Sequence, residues 1–194
     1  MDGIAPHGKT DPAIVREILL THLGRTSNCD SDLEPVIESY LSFLGEEVRH
    51  STAYRVLPGI LEILQEMAAR PDVMLGLATG NMELGARIKL ERGGLNPYFG
   101  FGGFGSDSEN RAALVRKGAE AAARKGGGAI PPGDVFVIGD TPRDIEAGRE
   151  AGFRTVGVGT GSYPADQLLE SGATFAISDF QQGRDQFLRS AFIE

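Results

Sequence analysis

The chain has 194 residues, a hydrophobic fraction of 41%, a formal net charge of -8 and a single cysteine, with a pI near 5.0. That length suits one domain with a small insertion, and the acidic balance argues against nucleic-acid binding, which relies on basic side chains neutralising phosphates. Cys29 alone excludes an intrachain disulfide framework and a Cys-rich zinc site, no apolar run is long enough to span a membrane, and the simplest compartment is a reducing cytoplasm.

Residues 1–9 are polar with Gly and Pro and read as a loop, without the apolar region of a signal peptide. Asp11-Pro12 opens a helix, with Asp11 as N-cap and Pro12 at the first helical position. Ile14, Ile18, Leu19 and Leu23 recur at helical spacing and Gly24 ends it. Ser31 and Glu34 form a capping-box pattern ahead of a second amphipathic helix through residue 48. The first fifty residues therefore hold two helices with no strand between them.

From Val56 the pattern changes. Pro58-Gly59 makes a turn before a helix carrying Ile60, Ile63, Leu64 and Met67. Residues 73–78 (VMLGLA) read as a strand, and Asn81 reads as the N-cap of a helix over 82–92. FGFGGFG at 99–105 reads as a strand loosened by glycine, followed by a helix over 108–125. Val135, Phe136, Val137 and Ile138 form a continuous apolar run, as expected of a parallel strand covered on both faces. Gly139 permits an abrupt exit, Thr141 is the N-cap with Pro142 behind it, and Gly152 is a C′ glycine. A strand at 154–158, a short helix at 165–169, a strand at 174–177 and a helix at 182–191 complete the chain. Strands alternating with helices predict an α/β fold: a Rossmann-like parallel sheet with helices on both faces. The predicted division is a helical subdomain at 1–55 and an α/β core at 56–194.

Two constellations carry chemistry. Asp140 ends the 135–138 strand and Asp144 lies in the first turn of the following helix. Ligands of open α/β sheets bind beyond the carboxyl ends of strands, and two carboxylates there suit Mg²⁺, which takes oxygen ligands and keeps several waters. The competing reading is that Asp144 favours the helix N-terminus electrostatically and Asp140 begins a turn. In LGLATGN, Thr79 ends a buried strand ahead of a helix, where a hydroxyl and the free N–H groups of Gly80 and Asn81 can bind phosphate; the competing reading is a plain strand-to-helix turn. His7, His22 and His50 have no metal-ligand spacing. Gly157, Gly159 and Gly161 fail the dinucleotide order and read as a loop rimming the same site.

GDTPRDIEAGREAG resembles the fourth motif of the haloacid dehalogenase-like (HAD) hydrolases, GDxxxD followed by a small-residue helix. Most of that superfamily are Mg²⁺-dependent phosphatases, and the resemblance implies Mg²⁺ held by Asp140, with Asp144 as a further ligand. LATGN resembles the second motif, which implies that Thr79 hydrogen-bonds the transferring phosphoryl group. The third motif is a basic residue, usually Lys, near the start of the helix before the GD strand. Arg111 is favoured by position and Lys117 is the runner-up; a solvated helix-surface charge is the alternative for each. GKTDPAIV resembles the approach to the cap of phosphoglycolate-phosphatase-like members, so the 1–55 helices become a cap subdomain.

The first motif, DxDGT after an apolar strand, is absent from the sequence. In the family its first Asp is the nucleophile and its second the general acid/base. The strand that bears it lies mid-sheet, between the strands matching residues 74–78 and 135–138. Three outcomes are open: a start further upstream, which is favoured; closure of the two flanking strands; or something else filling the slot. The resemblance implies a phosphatase of small phosphorylated metabolites, similar to phosphoglycolate phosphatase, inactive as this chain without its nucleophile. The alternative is a non-catalytic pseudo-phosphatase acting as a binding or regulatory subunit; a dehalogenase ranks lower because the GDxxxD pair is retained. Neither a membrane nor nucleic acid is an expected partner.

Overall fold

The structure, a computed structural model, describes residues 9–22 and 30–192. Its elements in chain order are α1 (Asp11–His22), α2 (Asp30–His50), α3 (Ile60–Ala68), β1 (Leu77–Thr79), α4 (Glu83–Glu91), β2 (Gly102–Phe104), α5 (Arg111–Gly126), β3 (Phe136–Gly139), α6 (Pro142–Ala151), β4 (Arg154–Val158), α7 (Ala165–Glu170), β5 (Phe175–Ile177) and α8 (Phe180–Phe192). Every strand pairing is parallel, with helices between the strands.

The sheet is in two parts. β1 pairs with β2, Leu77 opposite Gly102 and Thr79 opposite Phe104. β3 pairs with β4 and β4 with β5, with Phe136 opposite Arg154 and Val156 opposite Phe175. Among the described residues no ladder joins β1 to β3. The flanking strands therefore do not close up, and the predicted place of the absent strand lies between the two parts.

Helices hold the halves together from both sides. One core cluster joins Ile63 and Met67 of α3, Phe180 and Phe187 of α8, and Val156, Val158 and Ile177 of the three-stranded part, with Val73 and Leu75 packed against it. Arg184 of α8 donates to Glu66 of α3 through Nε at 2.8 Å. α6 and α7 form another cluster, where Ile145 and Leu168 are fully buried. α5 crosses to the α6 side, where Arg116 donates to the Glu150 carbonyl at 2.9 Å. α1 and α2 make a small core of their own from Val15, Leu19 and Ile37, with Met82 packed against it. Arg92 donates to the Ser51 carbonyl at 2.7 Å and Tyr54 Oη to the Lys89 carbonyl at 2.7 Å, fastening the end of this helical pair to α4.

Several local expectations are corrected. The strand predicted over 73–78 is ordered as a ladder only at Leu77–Thr79. Among the described residues, 73–76 have no ladder partner; Phe101 lies across Gly76, where a Cβ would fall 2.4 Å from its ring. Asp11 does not cap its own helix. Thr10 does so, its carbonyl accepting Ile14 N–H at 3.0 Å and its hydroxyl accepting Ala13 N–H at 3.4 Å. The N-cap of α4 is Met82 rather than Asn81. α2 begins at Asp30, ahead of the predicted Ser31 cap, and accommodates Pro35. By contrast, Thr141, Asp144 and Pro142 form a full capping box on α6, and Gly152 closes it with φ 85°. His7 and Cys29 lie outside the described residues, as does the side chain of His22.

Candidate active site

A cavity of about 1160 Å³ occupies the space between β1 and β3. Thr79, Arg111 and Asp144 line it, together with apolar side chains of both strands and of α3, α5 and α8. Thus three of the residues singled out from sequence meet on one cavity, at the carboxyl ends of β1 and β3 and the amino end of α5. That is where ligands of open α/β sheets bind.

The turn after β1 is fixed from two sides. Asp11 N–H donates to the Gly80 carbonyl at 2.7 Å, and Gly105 N–H donates to the Asn81 carbonyl at 2.7 Å. A Cβ on Gly80 would lie 2.7 Å from the Lys9 carbonyl oxygen, so the close crossing of residues 9–10 requires glycine here. Thr79 Oγ1 accepts the Asn81 N–H at 3.2 Å, which leaves its own hydroxyl proton to donate. The Asn81 side chain is turned to Asp11 Oδ1 at 3.0 Å and Lys89 Nζ at 3.2 Å. Gly80 and Asn81 are not among the residues lining the cavity.

Asp11 is the residue whose role the sequence misassigned. It is 7% exposed and its Oδ2 accepts Met82 N–H at 2.8 Å, so a residue of the first helix caps α4 across the fold. The only signal in the sequence is the Thr10-Asp11 pair, two N-cap types in succession. Burial, and then the Asp11 charge, push the Tyr40 hydroxyl up to about 12.

Asp144 is shared between two tasks. Its Oδ1 pairs with the Arg111 guanidinium, while its Oδ2 accepts the Thr141 N–H at 3.1 Å and the Thr141 hydroxyl at 2.8 Å. Gly139 makes this possible for a reason other than backbone freedom. A Cβ there would sit 2.2 Å from the Asp144 Cβ, so the missing side chain lets the α6 terminus approach the strand. Gly161 does the same for Asp140, since a Cβ on Gly161 would fall 2.5 Å from Asp140 Oδ2. Gly161 thus lies against Asp140, whereas Gly157 belongs to β4 and faces Leu168 and Ala176.

The Asp140 carboxyl is raised above its ordinary value by burial first and by the Asp144 charge second; Arg111 works in the opposite direction. Arg111 Nε is buried without an acceptor among the described residues. Lys117, the alternative third-motif residue, does not line the cavity. It donates to Asp107 Oδ1 at 2.5 Å, and Asp107 Oδ2 accepts Phe104 N–H at 2.9 Å. Burial acts to raise Asp107, but the bonds to Lys117 and Phe104 outweigh it and its carboxyl is lowered. Lys117 therefore secures the turn after β2. Asn110, unremarked in the sequence, is the N-cap that aims α5, accepting Ala113 N–H at 2.9 Å.

The residues present fit a hard cation in part. Asp140, which is not among the residues lining the cavity, has a raised carboxyl that a cation would relieve. Both Asp144 oxygens are already engaged, and no group of three His, Cys, Asp or Glu side chains with metal-holding geometry occurs among the described residues.

Comparison with known proteins agrees with this architecture. Residues 111–182 match the HAD-hydrolase-like family. Over that stretch the chain is HAD-like. It is 28% identical over 140 residues to a phosphoglycolate phosphatase of Synechococcus elongatus, covering 71% of this chain and 63% of that protein's length. Among solved structures, a hydrolase from Pseudomonas syringae superimposes with a TM-score of 0.67 at 22% identity, covering 94% of this chain and 79% of that one. A β-phosphoglucomutase from Clostridium difficile gives 0.71 at 17% identity, covering 94% and 76%. Both structural likenesses concern the fold. Among the described residues of the HAD-like chain, no helix is long and apolar enough to cross a membrane.

Proposed function

We propose that the HAD-like chain carries a phosphatase-class site for small phosphorylated metabolites, phosphoglycolate-like in size and charge, acting in the cytoplasm. One observation carries this reading: Thr79 and the Arg111–Asp144 pair line a single cavity at the carboxyl ends of β1 and β3. In it, the Thr79 hydroxyl donates to one phosphoryl oxygen. Arg111 supplies charge, and its unpartnered Nε supplies a further donor. Asp140, assisted by Asp144, would hold Mg²⁺ with water completing the shell. When bound, that ion would supply positive charge against the phosphoryl oxygens. The helical pair within residues 1–55 acts as a cap whose side chains select the substrate.

Covalent hydrolysis in this class requires an aspartate nucleophile at the end of an apolar strand. The 194 residues contain no DxDGT, and β1 and β3 have no strand between them among the described residues. On this reading the chain alone binds a phosphate ester without turning it over. The same gap favours the second reading, a non-catalytic binding or regulatory subunit.

Titration of inorganic phosphate by calorimetry, with and without Mg²⁺, combined with a phosphoglycolate hydrolysis assay, tests the proposal. Mg²⁺-dependent phosphate binding without turnover is expected. Absence of phosphate binding at millimolar Mg²⁺ would remove the site assignment. Turnover at about 1 s⁻¹ or faster, an ordinary enzymatic rate, would show that a nucleophile lies elsewhere in the chain.

A further inference from the structure

The turn that presents Thr79 to the cavity is held largely by one residue of α1. Asp11 makes three hydrogen bonds to it: its N–H donates to the Gly80 carbonyl at 2.7 Å, its Oδ1 accepts from Asn81 Nδ2 at 3.0 Å and its Oδ2 accepts from Met82 N–H at 2.8 Å. Gly105 closes the other side, donating to the Asn81 carbonyl. A Cβ on Gly105 would fall 2.1 Å from the Gly80 carbonyl oxygen, so the turn has no room to shift toward β2. Asp11 is buried, and these bonds offset the desolvation of its carboxylate.

The Asn81 side chain has a fixed direction in this arrangement. An amide carries a donor on one side and an acceptor on the other. Lys89 Nζ, which can only donate, meets Asn81 Oδ1 at 3.2 Å, and the accepting carboxylate of Asp11 meets Nδ2. Asn81 is an N-cap residue type, but Asp11 bonds the start of α4 and the Asn81 side chain is drawn to Asp11 and Lys89 instead. The Asn81 N–H is given to Thr79 Oγ1 at 3.2 Å. That bond occupies a lone pair of the hydroxyl and leaves its proton to donate into the cavity that Thr79 lines. With the Asn81 and Met82 N–H groups both engaged, the start of α4 offers an anion this hydroxyl in place of those two backbone donors.

We propose that Asp11 is the positioning residue of this turn: through Asn81 it aims the Thr79 hydroxyl, so that a residue of the helical pair decides whether the turn can bind phosphate. The proposal rests on the reading of Thr79 as a donor to a phosphoryl oxygen. Charge alone predicts the opposite effect. A carboxylate two hydrogen bonds away from an anion site repels the anion, and neutralising it would tighten phosphate binding if Asp11 acted only through its field. Asp11→Asn separates the roles. Its one side-chain oxygen can still accept Met82 N–H and keep the cap, but its NH2 group then faces Asn81 Nδ2, donor against donor. Turning the Asn81 amide over only moves the conflict to Lys89.

The test titrates inorganic phosphate into the full 194-residue chain by calorimetry and follows amide exchange at Asn81. Asp11→Asn should weaken phosphate binding by about tenfold, the scale of one misaimed hydrogen bond to a charged group, and should speed exchange at Asn81 by at least about fivefold. Asn81→Ala, which leaves the Asp11 cap in place, should weaken binding comparably and serves if Asp11→Asn folds poorly. In a Thr79→Val background, Asp11→Asn should change affinity by less than about twofold, because the hydroxyl it aims is gone; a purely structural Asp11 would weaken both backgrounds alike. Arg16→Ala, which removes the exposed pair with Glu109 without touching the turn, should leave affinity within about twofold of wild type. Tighter binding by Asp11→Asn would overturn the proposal in favour of charge repulsion. Equal losses in both backgrounds, or an equal loss in Arg16→Ala, would overturn it in favour of general docking of α1. If the wild type binds no phosphate, the phosphatase reading falls and exchange decides alone: an unchanged Asn81 rate in Asp11→Asn overturns the positioning role, and a faster one upholds it.

Discussion

Arg111 and Asp144, 33 residues apart in sequence, are joined in an ion pair that ties the first residue of α5 to the first turn of α6. The pair is largely buried, with side-chain exposures of 23% and 14%. Asp144 cannot leave it without also releasing the Thr141 cap. Asp144→Ala should therefore lose a capping box and strand a buried guanidinium. A cost of about 2–4 kcal/mol is expected from those two losses together, read as a lower urea midpoint at unchanged slope. Asp144→Asn, which retains an acceptor for the cap, should cost less than half of that.

Arg111 and Lys117 compete for the third-motif role and can be told apart. Lys117 is committed to Asp107, whereas Arg111 lines the cavity. Arg111→Ala should weaken phosphate binding by about tenfold or more, the scale of a lost charge-assisted hydrogen bond. Lys117→Ala should leave phosphate affinity unchanged and loosen only the turn after β2. The reverse pattern in calorimetry would transfer the assignment to Lys117.

Gly139 is held by packing rather than by its backbone angle. Gly139→Ala places a methyl group 2.2 Å from the Asp144 Cβ, and overpacking of this kind costs about 1–3 kcal/mol. Gly128→Ala, where nothing lies within 4 Å, should stay within about 0.5 kcal/mol of wild type. Chemical denaturation of both variants checks the contrast.

Asp140 should make the fold pH-sensitive in a defined direction. Its folded-state carboxyl is raised, so the native state holds its proton more firmly than the unfolded chain. Stability contributed by this group therefore falls as pH climbs from the ordinary carboxylate range through the raised value, and stays lower above it. Asp140→Asn should raise the melting temperature at neutral pH, by the equivalent of about 1 kcal/mol or less for a half-buried group, and should make no difference near pH 3. Melts of wild type and variant across that range give the answer. Mg²⁺ that binds at Asp140 should raise the melting temperature of the wild type but not of the variant.

Asp11 links the helical pair to the core. Asp11→Ala should cost about 1–2 kcal/mol through the lost cap on α4, and Asp11→Asn should recover part of it. Either change removes the charge that helps push Tyr40 up to about 12, so the Tyr40 hydroxyl should ionise at lower pH in a spectroscopic titration.

Most of the architecture was legible because the strong signals are local. The apolar run before Gly139, the Thr141-Pro142 start and the Gly152 stop each rest on contacts within one turn of the chain, and β3 and α6 fall within a residue or two of their expected bounds. The alternation of strands and helices determined an α/β fold with a parallel sheet, because parallel neighbours require crossover helices. Thr79, Arg111 and Asp144 could be picked out as residues at strand ends and helix starts, since that is where free N–H groups and ligands meet. What tertiary structure alone decided involves partners far along the chain. Asp11 was legible as a cap but not as the cap of a helix seventy residues away. Gly139 was legible as a glycine but not as the gap that admits Asp144. β1 is shorter than the strand expected over 73–78, with Phe101 lying across Gly76, and among the described residues the sheet is split between β1 and β3. Local sequence fixes which conformations a segment prefers. Only the packed chain fixes which edges find a partner, because a strand's hydrogen bonds are completed by its neighbours and not by its own residues.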